Sequence, residues 1–223
     1  MTMQQTSRQQ ATRALLGAAG ILPVVTVEDI AQTIAIAGAL ARGGLTAIEV
    51  TLRSPVAMQA LGVLKREVPG LAIGAGTVRT VRQAHEVLEQ GVDFIVTPGT
   101  PPALAAELAG LPLPVVPGAA TPTEMMALLD LGFDALKLFP ASVVGGLSMI
   151  KALAGPLPEL LLCPTGGINE GNALEFLRQP NVACVGGSWM VPSDWVSAGK
   201  FDLVEQSARR CRALLDTLAA APR

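Results

Sequence analysis

Tyrosine is absent from the 223 residues, and the aromatics together reach only 3%, so any core must be packed from Leu, Val, Ile and Ala. Histidine occurs once, at His85. A metal-dependent mechanism draws on several His or carboxylate ligands set close together, and no such group is present, so neither a metal nor another cofactor is expected. The three cysteines, Cys163, Cys184 and Cys211, are odd in number, far apart and form no C-x-x-C pair. That argues against a disulfide framework and for buried, inert thiols. No basic stripe interleaved with aromatics is found, and the net charge is only −2, which excludes an ordinary nucleic-acid partner. No run approaches the roughly 18 uninterrupted apolar residues of a membrane span. Arg8 and Arg13 precede an apolar run from Ala14 to Val25 that faintly imitates a secretory signal, but Gly17, Gly20 and Pro23 interrupt it. A cytoplasmic protein is therefore expected.

What the chain has in quantity is apolar surface: 50% hydrophobic residues, 15% charged and a mean hydropathy of +0.48. This length and composition fit one core-rich domain. The runs ILPVV (from Ile21), AIEVTL (from Ala47), LAIGAGT (from Leu71), DFIVTPG (from Asp93), PVVPGA (from Pro114), ALKLFPA (from Ala135), LLCPTGG (from Leu161) and ACVGGS (from Ala183) read as eight strands. Helical stretches separate them at Glu28–Arg42, Pro55–Val68, Thr80–Glu89, Pro101–Ala109, Pro122–Leu131, Gly146–Ala154 and Glu170–Leu177. A last helix is expected from Phe201 to Ala219 and an extra one near Gln5–Ala18. Strict strand–helix alternation predicts a parallel sheet covered by helices, and eight units predict an α/β fold of the (β/α)8 TIM-barrel type. The expected organisation is a single domain over residues 1–223, with an N-terminal helix within residues 1–19 packing on the barrel. A doubly wound open sheet is the alternative. It calls for a Gly-rich dinucleotide turn after the first strand, where Pro23-Val24-Val25-Thr26 stands instead.

Active sites of such barrels gather where the strands end. Side chains of a strand alternate between faces, so Glu49, Thr51 and Arg53 share the face of Ala47 and are expected to point inward, while Ile48, Val50 and Leu52 meet the helices. An inward carboxylate suits general acid–base work. A structural ion pair of Glu49 with Arg53 or Lys137 is the plainer alternative. Of the four lysines, only Lys137 is embedded in an apolar strand, facing inward with Ala135 and Phe139. Burial favours the uncharged form of an amine, and an uncharged amine attacks a ketone to form a Schiff base. Two Gly-rich turns, Gly166-Gly167 and Gly186-Gly187-Ser188, follow the last two strands, where barrels often hold phosphate on backbone N–H groups. They are equally compatible with plain turns.

The segments GGLTAIEVTLRSP, GAGTV, PGAATPTE, LKLFPA, CPTGGI and VGGSW, in this order and spacing, closely resemble the 2-keto-3-deoxy-6-phosphogluconate (KDPG) / 4-hydroxy-2-oxoglutarate (KHG) aldolase family. The resemblance runs in register from about Ile21 to Trp195. It implies a metal-independent class I aldolase, an aldehyde-lyase that cleaves a small 2-keto acid, KDPG, to pyruvate and glyceraldehyde 3-phosphate in the Entner–Doudoroff route. It also implies a homotrimer. Carried over by position, Lys137 is the Schiff-base lysine and Glu49 the acid–base group. Arg53, Thr77 and Pro98 hold or surround the pyruvoyl end, Phe139 lies beside the Schiff base, and Thr165, Gly166, Gly167, Gly187 and Ser188 contact substrate and phosphate. Ser142 departs from the pattern, since many relatives carry an acidic residue there. KHG and the galactonate epimer of KDPG are alternative substrates. A sugar-phosphate epimerase or isomerase, or a non-catalytic metabolite-binding barrel, would explain the glycine turns without Lys137.

Overall fold

Each apolar run that alternates with a helical stretch forms parallel strand in the computed structural model, which describes residues 3–220. Residues 1–2 and 221–223 of the expected domain span lie outside the described residues. Six strands, β1 (Ile21–Val25), β2 (Ala47–Thr51), β3 (Ala72–Gly76), β4 (Phe94–Val96), β5 (Val115–Val116) and β9 (Val185–Gly187), pair in the order β5-β4-β3-β2-β1-β9. A second sheet joins β6 (Gly118–Ala119), β7 (Ala135–Leu138) and β8 (Leu161–Pro164) in sequence order. The helices are α1 (Met3–Ala19), α2 (Ile30–Arg42), α3 (Ala57–Glu67), α4 (Val81–Glu89), α5 (Pro102–Gly110), α6 (Pro122–Asp130), α7 (Gly146–Leu153), α8 (Ala173–Leu177), α9 (Ser193–Ser197) and α10 (Phe201–Ala220). The result is an α/β fold built on a curled parallel sheet.

Three details differ from the sequence reading. The expected fifth strand is divided between β5 and β6, because Pro117 has no N–H to contribute to a ladder. Its carbonyl still accepts from Lys137 N at 2.9 Å, so the backbone keeps its course across the break. The helix expected from Glu170 begins at Ala173, because the preceding turn is closed on itself: Asn169 Oδ1 accepts from Gly171 N, and Asn172 Oδ1 accepts from Asn169 N, each at 2.9 Å. The short helix α9 was not anticipated, although Pro192 followed by Ser193 and Asp194 is a recognisable helix-start signal.

The alternation of faces does organise the packing. Ile48, Val50, Leu136 and Leu138 turn outward into the cluster shared with the helices, and all four are fully buried. Ala47, Phe94, Ala135 and Cys163 turn inward into a second cluster, which Leu16 and Ala19 of α1 complete from the side where the strands begin. Burying each large aliphatic side chain contributes about 1.5–3 kcal/mol, so these two layers supply most of the drive to fold. Helix starts on the opposite side are fixed by side chains. Asp29 accepts from Gln32 N at 2.8 Å, Thr80 from Gln83 N at 3.2 Å, and Thr121 with Glu124 forms a reciprocal capping box.

Candidate active site

Where the strands end, a cavity of about 570 Å³ opens. That volume is in the range of small-molecule sites. Lys137 stands in its floor. β7 delivers the side chain inward, and the Nζ lies 3.0 Å from Glu49 Oε1 and 3.3 Å from Oε2 on β2. Both groups are almost fully buried, at 5% and 1% side-chain exposure. Such a pair is held by geometry and carries a large desolvation cost, so it is weak evidence of stability and good evidence of a task. Glu49 has room because Gly76 on the neighbouring strand lacks a side chain. A Cβ there would overlap the carboxylate. The Phe139 ring lies below the amine, 5.2 Å from Nζ to centroid, within reach of a cation–π contact.

Arg53, just past the end of β2, lines the same cavity and is solvent-exposed, and its side chain has no hydrogen-bond or ionic partner among the described residues. Thr165, Gly166, Gly167, Gly187 and Ser188 line the cavity as well. Gly166 and Gly167 have φ of +96° and +81°, a left-handed conformation that turns their N–H groups away from the strand course and that other residues resist. The N–H groups of Gly167 and Ser188 donate to no group among the described residues. Ser142 lies directly against Gly167, its Oγ and Cβ filling the space a Gly167 side chain would take.

Thr77 and Pro98, also expected at the site, end β3 and β4 but are not among the cavity-lining residues. Thr77 is half-buried in a left-handed conformation, φ +60°. Pro98 packs its backbone against Gly118. The sequence reading missed one whole wall: the turn carrying Thr26, Glu28 and Asp29 with Gln32 of α2, and facing it Ser193 and Ser197 of α9. Glu28 and Asp29 stand at the start of α2, where acids are ordinary, and a pocket wall formed by two distant turns leaves no local pattern.

Beneath the reactive pair lie two thiols. Cys163 pairs in register with Lys137, and Cys184 belongs to the same inner cluster. Burial, and then the neighbouring Cys163, push the Cys184 thiol up, so it stays protonated. Cys211, on α10, is pushed up to about 11, chiefly by burial. All three cysteines are free and buried. Among the described residues no group of His, Cys, Asp and Glu is arranged to hold a metal ion. No helix among them is long and apolar enough to cross a membrane.

The family model for KDPG and KHG aldolase matches residues 13–207. The 2-dehydro-3-deoxy-phosphogluconate aldolase of Pseudomonas aeruginosa is 42% identical over 191 residues, covering 86% of this chain and 87% of that one. The KHG/KDPG aldolase of Escherichia coli K12 is 39% identical over 197 residues, covering 88% and 92%. Among solved structures, the KDPG aldolase of Legionella pneumophila, with pyruvate captured at low pH as a covalent carbinolamine intermediate, has a TM-score of 0.87 at 39% identity, covering 89% of this chain and 96% of that one. A buried lysine–glutamate pair at the strand ends, set in a chain this similar throughout, makes the protein a member of the KDPG and KHG aldolase family.

Proposed function

We propose that this protein cleaves 2-keto-3-deoxy-6-phosphogluconate to pyruvate and glyceraldehyde 3-phosphate, as a class I aldolase of the Entner–Doudoroff route. The observation that carries the reading is the Lys137 amine, buried, 3.0 Å from the Glu49 carboxylate and open to the cavity. The Pseudomonas aeruginosa relative bears the name of this activity, and a pyruvate carbinolamine was captured in the Legionella enzyme.

The chemistry follows from the two side chains. Glu49 takes a proton from Lys137, and the freed amine adds to the C2 ketone to give a carbinolamine. Glu49 then returns the proton to the departing hydroxyl, water leaves, and a protonated imine forms. This cation is the electron sink. Glu49 removes the C4 hydroxyl proton, the C3–C4 bond breaks, its electron pair moves into the imine, and the aldehyde departs. The resulting enamine takes a proton at C3, and water hydrolyses the imine to release pyruvate and Lys137. A single carboxylate can serve every proton transfer because it lies within hydrogen-bond reach of the amine at which the steps converge. Arg53 suits the substrate carboxylate through a bidentate pair, while Thr77 and Pro98, just beyond β3 and β4, stand outside the cavity lining. Phe139 and Thr165 flank the imine. The N–H groups around Gly166, Gly167, Gly187 and Ser188, with the Ser188 hydroxyl, suit the phosphate. This phosphate end favours KDPG over KHG, which lacks a phosphate.

The same reading treats residues 1–223 as one domain in which the two parallel sheets form a closed (β/α)8 barrel. β5 and β6 then act as one strand across Pro117, and the bridges Leu162–Val182 and Thr165–Gly186 join β8 to β9. In it, α1 packs on the barrel as an extra N-terminal helix. A homotrimer in the cytoplasm completes the proposal. Three free thiols accord with a reducing compartment.

Incubation with pyruvate and borohydride, followed by intact mass measurement and peptide mapping, tests the core of this reading. One reduced pyruvate adduct on Lys137 is expected. A folded sample that acquires none removes the Schiff-base mechanism.

A further inference from the structure

One tryptophan sits behind the loop to which the phosphate is assigned. A Cβ on Gly187 would overlap Cζ3 and Cε3 of the Trp189 indole, so the six-membered ring lies directly against Gly187. Along β9, Cys184 faces inward and Val185 outward, so Gly187 presents its bare face outward, away from the cavity. Trp189 accordingly packs on the outer hydrophobic cluster and does not line the cavity. Its Nε1 is buried with no oxygen or nitrogen partner among the described residues, and its N–H meets the Cys211 thiol of α10, a weak acceptor. The ring is thus held between Gly187 on one side and α10 on the other. Ser188, between Gly187 and Trp189, lines the cavity with its N–H uncommitted.

We propose that Trp189 is a positioning residue for the anion end of the site: the indole, wedged between α10 and Gly187, sets the course of the backbone through Gly187 and Ser188 so that the Ser188 N–H and hydroxyl face the cavity. This inference rests on the functional reading above, because it assigns a phosphate group to that loop. It goes beyond that reading by placing control of phosphate affinity in a side chain that touches neither the substrate nor the reactive pair. Backbone donors give full strength to a charged acceptor only when aligned, so an indole that shifts the loop acts on phosphate binding and leaves the lysine chemistry alone.

Two measurements test it on the full-length protein. In the first, Trp195→Phe leaves Trp189 as the sole tryptophan, and its emission is followed during titration with inorganic phosphate and with glycerol 3-phosphate. A saturable change whose dissociation constant matches calorimetry is expected; an emission that ignores bound phosphate overturns the proposal. In the second, Trp189→Leu and Trp189→Phe are compared with the wild type for phosphate affinity, KM and kcat on KDPG, and borohydride-trapped pyruvate adduct. Trp189→Leu should weaken phosphate binding and raise KM about tenfold, the scale of one charge-assisted hydrogen bond. The kcat and the pyruvate adduct should be retained, and Trp189→Phe should recover most of the phosphate affinity. Equal losses of phosphate and pyruvate binding, or a loss of neither, overturn it. Failure of the aldolase reading shows differently, as a wild-type protein that turns over no KDPG and traps no pyruvate whatever Trp189 does to phosphate.

Discussion

The two ends of the curled sheet are made by the same strands and meet opposite demands. Where the strands begin, α1 lays Leu16 and Ala19, at 1% and 2% exposure, onto the inner cluster, and the polar groups there are committed. Arg8 donates to Ala109 O and Gly132 O and lies over Phe133, and Arg13 holds Asp134 at 2.7 Å and Glu159 O at 2.8 Å. Where the strands finish, a buried amine paired with a carboxylate lines a cavity, and among the described residues the Arg53 side chain has no partner and the N–H groups of Gly167 and Ser188 are uncommitted. One end is closed by contacts already made within the chain. The other is left open for contacts that a substrate has to complete. Stability and chemistry are thereby separated along the strand axis, and each can be perturbed with little effect on the other.

The sharpest way to test that separation is at the open end. Lys137→Ala should reduce turnover by about 10⁴-fold or more, and Glu49→Gln by about 10²–10⁴-fold, both measured in steady-state cleavage. The double replacement Lys137→Met with Glu49→Leu should remove activity yet leave stability unchanged or raise it by about 1–4 kcal/mol in urea unfolding, since it deletes a buried ion pair as a unit. A double variant that unfolds spontaneously would show that the pair is structural and break the comparison.

At the closed end the expectation reverses. Leu16→Ala should cost about 2–5 kcal/mol of stability, read from the shift of the denaturant midpoint, while kcat and KM at a temperature well below unfolding stay unchanged. A smaller effect is expected at the α6 capping box, which closes one helix start beside the open end. Glu124 Oε2 accepts from Ala120 N at 2.8 Å and Thr121 N at 2.9 Å, and these bonds, led by that from Ala120, hold its carboxyl below the usual range. A folded value depressed below the unfolded one means that the stabilisation is complete above the ordinary carboxylate value of 4.5 and fades as pH falls through the lower folded value. Thr121→Ala should cost about 1 kcal/mol at neutral pH. Glu124→Gln should flatten the acid limb of the stability profile, and an unchanged limb would sever the cap from the pH dependence.

The capped starts clarify what could be read in advance. Asp29, Thr80 and Thr121 each accept from the N–H three residues on, a local interaction, and the helices begin within two residues of the starts expected at Glu28, Thr80 and Pro122. Lys137 and Glu49 were legible for an equally local reason: a charged residue on the inward face of an otherwise apolar strand has nowhere else to go. The wall made by Gln32, Ser193 and Ser197 left no such trace, because it exists only when the turn after β1 meets the helix after β9. Pro117 was visible in the sequence, but the division it causes shows only in the pairing, where β5 joins β4 and β6 joins β7.

The sequence by itself determined the alternation of strand and helix, the inward placement of the lysine and glutamate, and the helix caps, all of which follow from side-chain periodicity and hydrogen bonds within a few residues. Only the tertiary structure decided that the amine of Lys137 meets the carboxylate of Glu49, 88 positions apart, at 3.0 Å, that α1 closes the opposite end, and that an indole lies behind Gly187. Those outcomes rest on the curl of the sheet, which sets the distance between residues that no local interaction connects.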